Sequence, residues 1–328
     1  MNLTGNTSGS RKVVTLIVPV FNEESAVTPF LKRVDSVLAD LSDRIQFEIC
    51  FVNDGSTDAT EMVIADLARE TPSIRLVNLS RNFGKEAALS AGLDLTDADA
   101  VIPIDVDLQD PPELIPQMIS LWLGGAHVVN ARRARRDQDS WAKRVSAGLY
   151  YRVFNFLAEH PIPTNVGDFR LLDREVVMVL RRLGERSRFN KALFSWVGFT
   201  TAEVTHERTA REEGETCWSY WKLWKLGLDG IFSSSTIPLR IWTYIGVLMS
   251  FISLFYSVFI AARTFIFGVD VPGYASTVIL ILTFGGLNLF ALGIIGEYVG
   301  RIYLEVRQRP LYVVRSARAS EGDLTDGS

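Results

Sequence analysis

The sequence predicts an α/β domain with a mostly parallel sheet, followed by interfacial and membrane-spanning helices. Three observations carry that expectation. From Val13 onward, short β-branched runs alternate with longer helix-like stretches, as βαβ units do. Each of the first four runs ends in a cluster of polar or turn-forming residues. Past Thr201 the composition becomes aromatic and then apolar, with two stretches free of charge.

In order along the chain, strands are expected at Val13 to Val18, Phe47 to Val52, Ile74 to Leu79, Ala100 to Ile104 and His127 to Asn130. Helices are expected between them, near Glu24 to Leu41, Ala59 to Arg69, Lys85 to Leu95 and Pro112 to Leu123. Helical spacing of apolar residues predicts two more, Trp141 to about Leu157 and Arg174 to Leu183. The segment Trp218 to Phe232 interleaves Trp218, Tyr220, Trp221 and Trp224 with Lys222 and Lys225. Side chains with one apolar and one wet end suit a membrane interface.

The uncharged runs Ile241 to Ala262 and Ala275 to Ile295 are each long enough to cross about 30 Å of hydrocarbon as a helix. Arg240 precedes the first, Arg263 is the one cation between them, and Arg301, Arg307, Arg309, Arg315 and Arg318 follow the second. Positive charge is retained on the cytoplasmic side, so both flanks are expected inside. Gly293, Gly296 and Gly300 would let another helix approach closely, or reflect ordinary glycine enrichment in membrane helices.

The chain has 328 residues, with 34 Lys and Arg against 38 Asp and Glu, a net charge of −4. Slight acidity argues against nucleic acid as a partner, which would call for a basic surface. Two distant cysteines, Cys50 and Cys217, and three scattered histidines offer neither a disulfide framework nor a zinc site. The first ten residues lack the apolar core of a signal peptide, so the N-terminal region is expected in the cytoplasm.

In an open parallel sheet, ligands bind beyond the carboxyl ends of the strands. There the sequence places Phe21, Asn22 and Glu23; then Asn53, Asp54 and Gly55; then the run Arg81 to Lys85; then Asp105 and Asp107. Neither a Gly-x-Gly-x-x-Gly after the first strand nor a Gly-x-x-x-x-Gly-Lys is present, so a bound nucleotide needs another means of holding its phosphates. Asp105, Asp107 and Gln109 could supply one through Mg²⁺ or Mn²⁺, because alternate carboxylates at a strand end point into one crevice. A separate basic run, Arg132, Arg133, Arg135, Arg136, Lys143 and Arg144, suits an anionic headgroup at a membrane surface.

The strings PVFNEE (19–24), VNDGSTD (52–58), RNFGKEAAL (81–89) and DVDLQDPPEL (105–114) resemble glycosyltransferase family 2. GDFRLLDRE (167–175), RTAREEGE (208–215), the paired spans and GEYVGRIYLEVRQRPLY (296–312) narrow the resemblance to its polyprenyl-phosphate glycosyltransferases. The likeness covers about residues 12 to 315. It implies residues 1–11 as a disordered N-terminus and 12–216 as a cytoplasmic GT-A catalytic domain. It further implies interfacial helices at 217–239, a transmembrane hairpin at 240–300 and a basic cytoplasmic tail at 301–328.

Residue by residue, the resemblance implies that Pro19, Phe21 and Glu23 line a nucleoside pocket, with Val52 and Asp54 beside the base and Lys85 nearby. Asp105 and Val106 would lie against ribose and metal, and Asp107 and Gln109 would ligate the metal. Arg132 would meet the phosphate of the lipid acceptor or of the donor, helped by Arg144 and Ser146, with the acceptor phosphate the first assignment, and Arg211 would close over the pyrophosphate. Related mannose synthases have a lysine where this chain has Cys217, leaving that phosphate contact to Lys222 or Lys225. Asp105, Asp107 and Asp168 are the candidate catalytic residues. Asp168 is expected to position groups rather than act as a base, since a phosphate monoester with a second pKa of about 6 is already largely a dianion.

The implied activity is inverting transfer of a sugar, UDP-glucose being the first-choice donor, to undecaprenyl phosphate at the cytoplasmic face of the inner membrane. GDP-mannose or a UDP-aminosugar are alternative donors, and a tetramer is the implied oligomer. A processive polysaccharide synthase would call for more membrane helices and a Gln-x-x-Arg-Trp string, both missing here. A catalytically silent nucleotide-binding scaffold would have no need of Asp105, Asp107 and Gln109.

Overall fold

A computed structural model of the chain describes residues 11–133, 166–183, 193–194, 196–206, 237–268 and 273–318. The chain divides into two compact units, one formed by residues 1–151, 160–217 and 309–328, the other by 152–159 and 218–308.

The first unit is built on an eight-stranded sheet with strand order β7-β5-β6-β4-β1-β2-β3-β8. Its strands are β1 (Lys12–Val20), β2 (Ile45–Asn53), β3 (Ile74–Leu79), β4 (Ala100–Pro103), β5 (Val128–Arg133), β6 (Val166–Asp173), β7 (Thr201–His206) and β8 (Val314–Arg318). The expected βαβ units make its centre, where β1 pairs in parallel with β2 and β4, and β2 with β3. The sheet is nevertheless mixed. β6 runs antiparallel to both β4 and β5, and β8 antiparallel to β3, while β5 and β7 are parallel.

Alternation along β1 explains how one strand serves two cores. Val14, Leu16 and Val18 enter one apolar layer with Phe51 and Ile102. There they meet Phe30 and Val34 of helix α1 (Val27–Leu38), Ile64 of α2 (Thr60–Glu70) and Met118 and Trp122 of α4 (Ile115–Leu123). Ile17 faces the opposite layer with Cys50, Val52 and Val77. That layer is completed by Ala88 and Leu89 of α3 (Lys85–Asp94) and by Val176 and Leu180 of α5 (Arg174–Arg182). Helix α3 has no polar stripe between Ala87 and Leu93, because all seven of these residues are buried. It lies so close to β1 that a Cβ on Gly92 would fall 2.4 Å from Ile17 Cγ2.

Three strands were not anticipated. In β6, Asp168 and Arg170 interrupt the apolar pattern that would mark a strand, although Phe169 and Leu171, which alternate with them, are buried. β7 is short and has a single fully buried apolar residue, Val204. β8 falls within the expected tail and is polar because it is the last strand of the sheet, its Arg315 exposed.

In the second unit, the two uncharged runs become helices α6 (Ile237–Phe267), of 31 residues, and α7 (Tyr274–Val306), of 33. At 1.5 Å per residue these measure roughly 46 to 50 Å. Trp242 and Phe290 pack with ring centroids 5.0 Å apart. Large apolar side chains such as Phe251 and Phe255 stand exposed. Among the described residues one stretch, Ile241–Phe267 with a mean hydropathy of 2.2, is long and apolar enough to cross a membrane by length and composition. Helix α7 continues past its apolar run into a polar last section, where Arg301 donates to Glu297 at 2.8 Å. The expected helices at 141–157 and 218–232 lie outside the described residues.

Candidate active site

The loops after β1 and β2 are laced together through side-chain to backbone hydrogen bonds. Asn22, held at a positive φ of 56°, donates its N–H to Ser56 Oγ at 3.0 Å and accepts from Thr57 N at 2.8 Å. Glu23 N donates to Thr60 Oγ1 at 2.9 Å, and Ala59 N to Glu24 Oε2 at 2.9 Å. This leaves the Phe21 ring 43% exposed at the rim, positioned to offer a stacking face.

The loop after β3 is held by Asp54, whose two oxygens accept the N–H groups of Phe83 at 2.7 Å and Gly84 at 2.8 Å. Burial pushes the Asp54 carboxyl above its ordinary pKa, against the opposing pull of those donors. Gly55 beside it has φ +71°, and a Cβ there would come within 2.5 Å of the Arg81 carbonyl carbon. Only glycine lets these two loops approach so closely. Behind them, a ladder of buried amides crosses the sheet. Asn53 Nδ2 donates to Asn78 Oδ1 at 2.9 Å, Asn78 Nδ2 to Ser316 Oγ at 3.2 Å, and Ser56 N to Asn53 Oδ1 at 3.0 Å.

These braces fix Lys85, the first residue of α3. Its ammonium lies 2.7 Å from Asp105 Oδ2 and 3.1 Å from Asp168 Oδ2. Burial works against the charge, but the two carboxylates outweigh it and hold the lysine pKa well above its usual value. Arg170, on the same face of β6 as Asp168, is 4% exposed; it donates to Gly167 O at 2.6 Å and lies 4.3 Å over the Phe194 ring. Burial lowers its pKa to about 10, with Asp168 and Glu86 opposing. The result is a row of alternating charge, Asp105, Lys85, Asp168 and Arg170.

After β4 the chain bends sharply, Leu108 adopting φ 56° while Gln109 N donates to Asp107 Oδ1 at 3.1 Å. An L-residue in that region costs about 1–3 kcal/mol and is tolerated mainly where function or surrounding structure demands it. The bend exposes Asp107 and buries Gln109. Among the described residues no group of three or more His, Cys, Asp or Glu side chains converges as a preformed metal cage. Asp105, Asp107 and the Gln109 amide are hard oxygen donors at one strand end. They fit a cation such as Mg²⁺, which keeps several waters and is held by one or two carboxylates together with substrate phosphates.

The structure places the expected site residues as follows among the described residues. Val52 and Val106 are buried in the two apolar layers. Asp54 acts first as a brace, since both its oxygens are engaged by backbone. Pro19 is partly exposed, registered opposite Val52. Arg132 is paired with Glu203 of β7 at 3.0 Å. Arg144, Ser146 and Arg211 lie outside the described residues. Arg170, Glu203 and the Asn53–Asn78–Ser316 ladder were missed. For Arg170 the signal was its place two residues after Asp168, which in a strand puts both on one face.

Residues 15–181 match the family model described as Glycosyl transferase family 2. The chain belongs to glycosyl transferase family 2. Its α/β sheet of mostly parallel strands is a GT-A-type domain. An uncharacterized glycosyltransferase of Synechocystis sp. is 48% identical over 92% of this chain and 94% of its own. A bactoprenol glucosyl transferase of Shigella phage SfX is 48% identical over 93% of this chain and 99% of its own. Among solved structures, a mannosyltransferase from Pyrobaculum calidifontis, in complex with GDP-Man and Mn²⁺, aligns with a TM-score of 0.47 at 17% identity, covering 88% of each chain.

Proposed function

We propose that this glycosyl transferase family 2 protein transfers glucose from UDP-glucose to polyprenyl phosphate, undecaprenyl phosphate first, with inversion at the anomeric carbon. The observation that carries this reading is the near full-length likeness to the bactoprenol glucosyl transferase of phage SfX. The two long helices with exposed apolar side chains support a membrane setting. In this reading both cross the inner membrane, residues 12–216 lie in the cytoplasm, 217–239 lie along the interface, and the lipid tail never leaves the bilayer.

Phe21 and the braced loops after β1, β2 and β3 receive the nucleoside. Asp105, Asp107 and Gln109 hold Mg²⁺ or Mn²⁺, which when bound neutralises the diphosphate and improves it as a leaving group. Arg132, Arg144 and Ser146 hold the acceptor phosphate, Arg132 leaving Glu203 to do so, and Arg211 closes over the donor. The lipid phosphate oxygen forms the new bond to the anomeric carbon as the bond to the diphosphate breaks. Asp168, already tied to Lys85, orients the acceptor side and need not take a proton. Catalysis then comes from placing two anionic partners in line and offsetting their charge.

The test is a panel of labelled UDP- and GDP-sugars given to membranes holding the protein and undecaprenyl phosphate. The expected result is metal-dependent label in chloroform-soluble lipid from UDP-glucose. Label from GDP-mannose or a UDP-aminosugar instead would reassign the donor. No label from any donor, despite nucleotide binding, would overturn the enzyme reading.

A further inference from the structure

Lys85 is the first residue of α3, where the aligned backbone dipoles favour an anion over a cation. Its ammonium is stable there because two carboxylates face it, Asp105 at 2.7 Å and Asp168 at 3.1 Å. The backbone beneath it is pinned through Asp54 to the N–H groups of Phe83 and Gly84. The side chain above is four flexible carbons. A fixed base with a mobile charged tip suits a group that changes partners.

The partner it holds is the first of the three candidate metal donors. A divalent cation binds carboxylate oxygens at about 2.0–2.6 Å, so at Asp105 Oδ2 it would sit beside an ammonium 2.7 Å from the same atom, and like-charge repulsion sets the two in competition. Among the described residues no ammonium or guanidinium is paired with Asp107, which accepts from the Gln109 N–H. Among the described residues the contest is at Asp105. If Lys85 releases Asp105 it keeps Asp168, and the departing charge stays partnered.

We propose that Lys85 is a resident placeholder for the metal: with no donor bound it occupies Asp105 and weakens divalent-cation binding, and it yields Asp105 when the cation arrives with the donor's diphosphate. This rests on the metal assignment made above for the transferase. The device would keep an idle site from holding a bare cation and couple metal loading to nucleotide arrival.

The test is Mn²⁺ binding to the purified full-length chain, read from the electron paramagnetic resonance of free Mn²⁺ with neither sugar nor lipid present. Lys85→Met is expected to bind Mn²⁺ about tenfold more tightly than the parent, since a unit charge is removed beside the ligand. Lys85→Arg is expected to match the parent. Adding UDP should narrow the difference between Lys85→Met and parent. Lys85→Gln, which keeps polarity and nearly the length, reads the same way should the apolar variant lose its fold, as thermal unfolding would reveal. Mn²⁺ affinity in Lys85→Met or Lys85→Gln no higher than in the parent overturns the proposal, as does a gain that survives Asp105→Asn in the same chain. Because no transfer is measured, failure here is separable from failure of the donor panel.

Discussion

The loops after β1, β2 and β3 and the carboxylates after β4 and in β6 belong to one site but are held by different physics. The loops hang on directional hydrogen bonds to backbone, from Asn22, Asp54, Asn53 and Thr60, most of them shielded behind the surface. Asp105 and Asp168 share an ammonium that remains partly open to water. Hydrogen bonds of fixed direction give a surface that does not adapt, which suits recognition of one rigid nucleoside. Ion pairs tolerate exchange of partners, which suits a place where charges must arrive and leave.

The comparison can be broken most forcefully on the charged side. Asp107→Asn should lower sugar transfer by about 10² to 10³, the usual loss on removing one electrostatic stabiliser, while the midpoint of thermal unfolding moves little because Asp107 is exposed. On the braced side, Asp54→Ala leaves the Phe83 and Gly84 amides without their acceptor, and should cost about 1–3 kcal/mol of stability. It should also raise the donor KM more than it lowers kcat. If instead Asp54→Ala left stability unchanged and abolished donor binding, direct contact with the base would be its main role.

Asn78→Ala removes two of the three rungs of the amide ladder. A loss near 1–2 kcal/mol in chemical denaturation is expected, with transfer at saturating substrate within about threefold. Smallest in stability is Arg132→Ala, because an exposed pair with Glu203 contributes about 0–1 kcal/mol. Its informative readout is kinetic. A rise in KM for the lipid phosphate with donor KM unchanged supports an acceptor role, and no change in either limits Arg132 to its pairing with β7.

The same division governs what could be read from sequence. β1 to β4 were legible because central strands are apolar on both faces and turn residues follow them at once. Helix boundaries came within a few residues, α3 starting at Lys85 as expected. β6 was hidden since Asp168 and Arg170 place charge where an apolar strand pattern would be expected. β8 was hidden because its contribution is backbone pairing to β3, which leaves little trace in side-chain type. The resemblance implies Lys85 near the donor, but its engagement with Asp105, 20 residues on, depends on how β4 lies beside β1. The three-rung ladder was least legible of all, for no local pattern ties Asn78 to Ser316.

The late strand β8 has a consequence for the order of events during synthesis. Ser316 leaves the ribosome 238 residues after Asn78, an interval of about 12 to 48 s at about 5–20 residues per second. Throughout that interval β3 lacks the strand that will cover its edge, while α6 and α7 are being made. The nascent sheet therefore waits, one edge open, for a stretch of chain that emerges only after both long helices.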